Sequence, residues 1–131
     1  MKVLLDTNVL MAAIGTHGLC ELVLTSCLES HQVLICEHIL SELREHLVGK
    51  FHFTPADAKQ VAAWLRQRCE IIESGALPDV KIKDRDDLPI LAAAIAGKAD
   101  CLVTGDRELQ ALGNIADIPI LSPRQFYEQL K

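Results

Sequence analysis

The sequence has few aromatic residues and no excess of positive charge. Phe, Trp and Tyr make up 4% of the 131 residues while half are hydrophobic, so the predicted core is aliphatic. Acidic residues outnumber basic ones by 18 to 13, giving a formal net charge of −5. This balance argues against a generally cationic surface for nucleic acid or an anionic membrane. A nucleic-acid substrate would therefore have to be held locally.

Paired cysteines, a leader peptide and long apolar runs are also missing. The five cysteines form no CxxC pair, which predicts reduced thiols in the cytoplasm. No signal peptide is visible because the first apolar run is interrupted at Asp6, and no run is long enough to span a bilayer. We expect a cytoplasmic protein without a membrane partner, folded as one domain over residues 1–131.

Short aliphatic runs alternate with helical patterns along the chain. The runs are too short for helices and lack strict alternation, which is typical of strands buried on both faces. They cover residues 2–5, 33–36, 69–72, 101–104 and 118–121, with helices predicted near 19–30, 37–48, 55–68, 88–97, 106–112 and 123–130. This alternation predicts an α/β fold, a three-layer α/β/α sandwich around a central parallel sheet of four to five strands. The polar stretch 74–87 is predicted to be a surface loop.

Acidic residues follow two of the predicted strands. Asp6 comes directly after the first strand, where the chain passes into a helix, and Asp106 follows the fourth strand through Thr104 and Gly105. Both would lie at the same edge of a parallel sheet, which is where such folds bind ligands. Each acid alone has a simpler explanation as a strand end or a helix cap. Several acids at one edge repel each other, however, unless a cation neutralises them.

Two predicted helices supply further carboxylates. Glu42 falls at the edge of the apolar stripe of its helix, whereas Glu45 points away from that stripe. Glu42 can therefore reach the crevice beside the sheet. Asp87 begins the helix predicted near 88–97 and competes for the same role with Asp84 and Asp86, since an aspartate there would also cap free N–H groups.

The donors in this set are oxygen atoms, without His or Cys at ligand spacing. Such a set suits Mg²⁺ or Mn²⁺, as one or two ions, better than Zn²⁺. These ions bind phosphate oxygens and activate water, so the chemistry indicated is phosphodiester hydrolysis. Asn8 and Thr104 are candidates to hydrogen-bond ion-bound waters or a phosphate. Arg85 and Arg107 are weaker candidates for phosphate contacts, because a solvated or ion-pairing role explains each of them better.

Four segments resemble the PIN-domain nucleases in the order of that family. They are LLDTNVLMAAI, ILSELREHL, DRDDLPILAAAIAGKADCLVTGDREL and ILSPRQF, and together they span nearly the whole chain. The resemblance implies a metal-dependent ribonuclease with acids at Asp6, Glu42, Asp87 and Asp106. The D-x-x-I spacing of Asp87 matches the third acid of the family, with Asp84 in support.

The resemblance also has implications for partners. Many short members are VapC-like toxins of type II toxin–antitoxin pairs, which implies an RNA substrate, a cognate antitoxin that occupies the active-site groove, and a homodimer. Trp64 is predicted to lie in the core or at an interface, and segment 51–53 to pack a partner or dimer mate.

Two other functions are compatible with the same residues. The first is a non-catalytic protein-binding module on the same fold, whose acids cap helices or dock a basic segment. The second is a phosphoacceptor site, which is disfavoured because Thr7 and Asn8 follow Asp6 where such sites carry a second aspartate. Titration with Mn²⁺ separates the nuclease, whose ion site Asp6→Asn abolishes, from the module, which has none.

Overall fold

The computed structural model describes residues 1–73 and 75–130, so Ser74, the first residue of the predicted surface loop, lies outside the described residues. The described part contains one six-stranded sheet and seven α-helices. In chain order, the elements are β1 (Lys2–Leu5), α1 (Thr7–Gly15), α2 (Leu19–Ser30), β2 (Gln32–Ile35), α3 (Glu37–Phe51), α4 (Pro55–Arg68), β3 (Glu70–Ile71), a 3₁₀ turn (Arg85–Asp87), α5 (Leu88–Ala96), β4 (Cys101–Val103), α6 (Arg107–Leu112), β5 (Asn114–Ile115), β6 (Ile118–Leu121) and α7 (Pro123–Gln129).

The order of the strands places two carboxyl ends side by side. The strand order is β3-β2-β1-β4-β6-β5, and all neighbours are parallel except β5 and β6. The chain runs outward from β1 through β2 and β3, then returns to the other side of β1 at β4. The direction of winding therefore reverses between β1 and β4, which is where open α/β sheets form a crevice. The N–H of Asp6 donates to the carbonyl of Val103, 2.9 Å away, across this point.

The core is aliphatic and holds the central strands rigidly. Val3, Leu4 and Leu5 of β1 are fully buried, and so is the aromatic ring of Phe126 on α7. Burial of each large apolar side chain contributes about 1.5–3 kcal/mol, so the strands that carry the crevice are fixed by packing. Within the described ranges, no single helix is long and apolar enough to cross a membrane; α1 and α2 meet that criterion only as a pair, with a bend of 105° between them.

The predicted α/β class and parallel sheet are confirmed, and all five predicted strands are present. The sixth strand, β5, was not predicted because it has two residues, too few to show the alternation of apolar and polar residues that marks a strand. The predicted end of α3 at residue 48 is wrong. The helix continues through Gly49 to Phe51, and His52, whose φ is 58°, is the capping residue that follows it. A glycine is tolerated inside a helix at a cost of about 1 kcal/mol. This extension changes the composition of the crevice described below.

The hairpin between β5 and β6 carries an unfavourable residue in its turn. Ala116 and Asp117 both have positive φ angles, 49° and 66°, as in the type I′ turn that suits the twist of a hairpin. Alanine is strained there, whereas asparagine adopts this conformation readily. We expect Ala116→Asn to raise the unfolding temperature by about 2–4 °C.

The measurement is differential scanning calorimetry, with Ala63→Asn as a matched control. Ala63 is exposed within α4, where asparagine is a poorer helix former than alanine. The control should therefore melt at a lower temperature than the unmodified protein. A drop in melting temperature for Ala116→Asn would contradict the strain assigned to this turn.

Candidate active site

A cavity of about 340 Å³ lies where β1 and β4 end. This volume falls within the range of small-ligand sites. Five carboxylates from separate parts of the chain line it: Asp6, Glu42, Asp84, Asp87 and Asp106. All four acids predicted as catalytic, and the supporting Asp84, are therefore brought to one place.

Asp6 is buried and held through both oxygens. Its Oδ1 accepts a hydrogen bond from the N–H of Thr7 at 2.7 Å, and its Oδ2 accepts one from the hydroxyl of Thr104 at 2.6 Å. Burial raises the pKa of Asp6, and the charges of Glu42 and Asp106 raise it further, while the two hydrogen bonds oppose this shift. The carboxylate is thus fixed in position, in surroundings that disfavour its charge.

Thr104 connects the acids of the two strands. It is fully buried, and its hydroxyl donates to Asp6 while accepting from the N–H of Asp106 at 3.0 Å. Asp106 in turn caps α6, because its Oδ1 accepts from the N–H of Glu108 at 2.8 Å. The predicted supporting residue Thr104 therefore does not line the cavity but positions two residues that do.

Glu42 reaches the cavity from α3, as the helical projection predicts. It is half-buried, whereas Glu45 is exposed. The hydroxyl of Thr7, itself buried, donates to Oε1 of Glu42 at 2.8 Å, and Nε2 of His38 lies 3.5 Å from the same oxygen. The sequence did not lead us to predict that Thr7 would hold Glu42. The signal for such a role was the hydroxyl residue directly after Asp6, the acid at the end of β1.

Asp87 is the most unusual carboxylate of the site. It is 8% exposed, and its Oδ2 is buried with no hydrogen-bond partner among the described residues. Burial, together with the charges of Asp6, Asp106, Asp84 and Glu42, raises the pKa of Asp87 from 3.8 to about 7.

The remaining aspartates near this turn are exposed. Asp84 accepts from the N–H of Asp86 at 3.0 Å and lines the cavity, whereas Asp86 is not among its lining residues. The sequence left Asp84 and Asp87 as alternatives; the structure gives both a place at the cavity.

The other predicted residues divide into two groups. Asn8 lines the cavity, and its Oδ1 accepts from the N–H of Gly105 at 3.4 Å. Arg85 and Arg107 are exposed and are not among the described residues that line the cavity. His46, Lys50 and Phe51 do line it, although the sequence analysis did not predict them. His46 and Lys50 follow Glu42 at intervals of four residues along α3, and this spacing was the sequence signal that could have predicted them.

The donor set fits a hard divalent cation. Among the described residues, no three His, Cys, Asp or Glu side chains are already grouped closely enough to hold a metal ion. Nevertheless, the neighbouring carboxylates add to the raised pKa values of Asp6 and Asp87, and the buried Oδ2 of Asp87 lacks a hydrogen-bond partner among the described residues. A cation would relieve both conditions, and carboxylate and amide oxygens are donors suited to Mg²⁺ or Mn²⁺.

Comparisons with known proteins agree with this fold. A family model described as PIN domain matches residues 2–108. VapBC2 from Rickettsia felis, solved with a DNA fragment from its promoter, aligns with a TM-score of 0.69 and 22% identity over 93% of this chain and 98% of that one. VapBC-1 from nontypeable Haemophilus influenzae aligns with a TM-score of 0.69 and 14% identity over 95% of this chain and 99% of that one. No curated protein matches the chain.

Proposed function

The chain belongs to the PIN domain family, and on this premise we propose that it is a cytoplasmic, single-domain endoribonuclease that uses Mg²⁺ or Mn²⁺ to hydrolyse RNA phosphodiester bonds. Asp6, Glu42, Asp87 and Asp106 would hold one or two ions, with Asn8, Asp84 and Thr104 in support.

The observation that carries this proposal is the convergence of carboxylates in one cavity, with a buried oxygen of Asp87 unpaired. Placing like charges together in a partly buried site destabilises a protein. A protein-binding module could cap its helices and attract a basic partner with exposed acids, without this arrangement. A site that takes up a cation explains why the arrangement is kept.

The side chains around the cavity have distinct parts in the proposed reaction. A divalent ion held by Asp6, Glu42, Asp87 and Asp106 would lower the pKa of the attacking water and stabilise negative charge at the phosphate. Thr7 holds Glu42, and Thr104 holds Asp6 and the backbone of Asp106. Because these hydroxyls lock the carboxylates, little reorganisation is needed when substrate arrives.

Asn8 would contact the substrate directly. Its Oδ1 accepts from the N–H of Gly105, so its amide nitrogen remains a donor for a phosphate oxygen. The reaction needs no covalent nucleophile from the protein, since water attacks the phosphorus and a ribose oxygen leaves.

The proposal extends to a biological role as the toxin of a type II toxin–antitoxin pair. The likeness to VapBC2 and VapBC-1 over nearly the full length of both chains supports it. We propose a cognate antitoxin as partner, and a homodimer as the assembled form.

A matched pair of substitutions on α3 tests the catalytic proposal. We expect Glu42→Gln to lower the rate of Mn²⁺-dependent cleavage by about a hundredfold or more, because a carboxylate of the ion site is lost. Glu45→Gln should leave the rate unchanged, since Glu45 is exposed and is not among the described lining residues. The measurement is cleavage of a labelled oligoribonucleotide by purified protein, with and without EDTA.

The matched pair also excludes a contaminating nuclease, whose activity would not follow the substitution. If the unmodified protein neither cleaves RNA nor binds Mn²⁺ in calorimetry, the nuclease proposal is wrong and the protein-binding module is favoured.

A further inference from the structure

The cavity continues beyond the carboxylates along α3. Glu42, His46 and Lys50 are spaced four residues apart and line the cavity in a row, with Phe51 beside Lys50. Side chains at this spacing lie on one side of a helix. The row therefore leads from the acidic end of the cavity to an end that carries a cation and an aromatic ring.

The length of this row matches the scale of a nucleic-acid strand. Eight residues of helix span about 12 Å, and the stem of Lys50 leans toward the helix N-terminus, which shortens the distance to the acids. Charges along a nucleic-acid strand repeat every ~3.4 Å or more. Lys50 is thus within reach of a phosphate one or a few nucleotides from the acidic end.

The ring of Phe51 lies close to the backbone of α1 at Gly15. A Cβ on Gly15 would lie 2.9 Å from two ring atoms of Phe51, closer than real contacts allow. The absence of a side chain at Gly15 therefore lets the ring sit against α1. Phe51 is 36% exposed and is an aromatic residue among the described lining residues, so the ring presents surface on which a base can stack.

We propose that Lys50 and Phe51 form a nucleotide subsite that binds the RNA strand beside the phosphate to be cleaved. Lys50 binds a flanking phosphate and Phe51 stacks on a flanking base, while His46 lies between Lys50 and Glu42 in the row along α3. The proposal rests on the proposed ribonuclease function and specifies where the strand is held. The subsite also explains how a protein with a net charge of −5 retains RNA, because the positive charge of Lys50 lines the cavity that holds the strand.

Binding of a short fluorescein-labelled oligoribonucleotide tests the subsite. All proteins carry Asp106→Asn to prevent cleavage, and asparagine preserves the cap of α6. Fluorescence anisotropy in Mg²⁺ at several salt concentrations gives the affinity. We expect Lys50→Gln to weaken binding about fivefold or more and to reduce the salt slope by about 0.7, the value for one lost contact to a single strand.

Three further variants complete the design. Phe51→Leu should weaken binding about tenfold, whereas Phe51→Tyr should retain it, because stacking needs an aromatic ring. Lys59→Gln removes an exposed lysine of α4 outside the described cavity lining, and it should change nothing. Thermal melting confirms that each variant is folded.

Cleavage kinetics of proteins that keep Asp106 distinguish a failure of the proposed subsite from a failure of the proposed nuclease function. We expect Lys50→Gln to raise KM more than it lowers kcat, as for binding shared by substrate and transition state. If Glu42→Gln abolishes cleavage but Lys50→Gln and Phe51→Leu bind RNA like Lys59→Gln, the subsite is overturned and the nuclease stands. If Lys50→Gln and Phe51→Leu bind RNA as the unmodified protein does but no longer bind a protein partner, the subsite is likewise overturned, and this end of the cavity is assigned to protein docking.

Discussion

Replacing Asp6 with asparagine is expected to lower the rate of metal-dependent RNA cleavage by about a thousandfold or more. Such a loss corresponds to several kcal/mol of charge stabilisation at the reacting phosphate. Asp6 is the acid most firmly held in the site, because both of its oxygens accept hydrogen bonds from fixed donors. Asparagine has the same shape but one oxygen fewer and no charge.

The same substitution should leave the metal-free protein folded. The asparagine oxygen can still accept from Thr7, although the buried hydroxyl of Thr104 loses its acceptor, at a cost of about 1 kcal/mol. Removal of a buried charge that is repelled by Glu42 and Asp106 offsets this loss. We therefore expect the melting temperature in EDTA to stay within a few degrees of the unmodified protein.

Single-turnover cleavage and melting in EDTA, measured on the same samples, check this result. Asp79→Asn is the control, since Asp79 is an exposed acid that is not among the described lining residues. Cleavage retained within tenfold in Asp6→Asn, or lost only in proportion to unfolded protein, would remove Asp6 from the catalytic set.

The stability of the metal-free protein should fall as the pH rises from 5 to 8. In the folded protein the pKa of Asp87 is raised from 3.8 to about 7. Between these values the unfolded chain has released the proton while the folded protein keeps it. Stability therefore decreases with rising pH across this window, and the full penalty is present above pH 7.

The size of the effect follows from the shift and from solvent exposure. The shift of Asp87 corresponds to about 4 kcal/mol as an upper bound. Residual solvent contact of the side chain reduces this to the order of 2 kcal/mol. Because the window begins at 3.8, part of this loss has already occurred at pH 5, and urea denaturation at pH 5 and pH 8 in EDTA should show a difference on the order of 1 kcal/mol.

Two variants test the contribution of Asp87 to this pH dependence. Asp87→Asn should make the slope shallower and the protein more stable at pH 8, because the penalty for this buried charge is gone; the slope that remains belongs to Asp6, whose pKa is also raised by burial. Asp86→Asn is the adjacent control: Asp86 is exposed and outside the described cavity lining, so the slope should persist. An unchanged slope in Asp87→Asn would contradict the environment described for this carboxylate. Mn²⁺ should restore stability to the unmodified protein at pH 8.

Local patterns in the sequence were sufficient to predict much of the site. The buried strands β1 and β4 are short apolar runs followed by Asp6 and Asp106, and parallel strands share an edge, so these two acids could be placed together before their neighbours were known. The position of Glu42 followed from helical periodicity, because the apolar stripe of α3 faces the core.

Other features depend on contacts that no local pattern contains. The bond from Thr7 to Glu42 requires α1 to pack on α3. The helix α3 continues through Gly49 to Phe51 and is capped by His52 in the left-handed conformation, which a glycine at residue 49 did not indicate. Lys50 and Phe51 consequently line the cavity, whereas the sequence indicated Arg85 and Arg107. The burial of Asp87 beside an exposed Asp84 likewise depends on the 3₁₀ turn, in which Asp84 is the N-cap and Asp87 the last residue before α5.

The short strands at the two edges of the sheet restrict how this molecule can associate. β3 and β5 have two residues each, so neither edge offers a row of free N–H and C=O groups long enough to template another strand. Extension of the sheet into an intermolecular ladder, the first step toward fibril growth, is thereby disfavoured. The helical surfaces are a different matter, because Leu22 of α2 and Trp64 of α4 expose apolar area there.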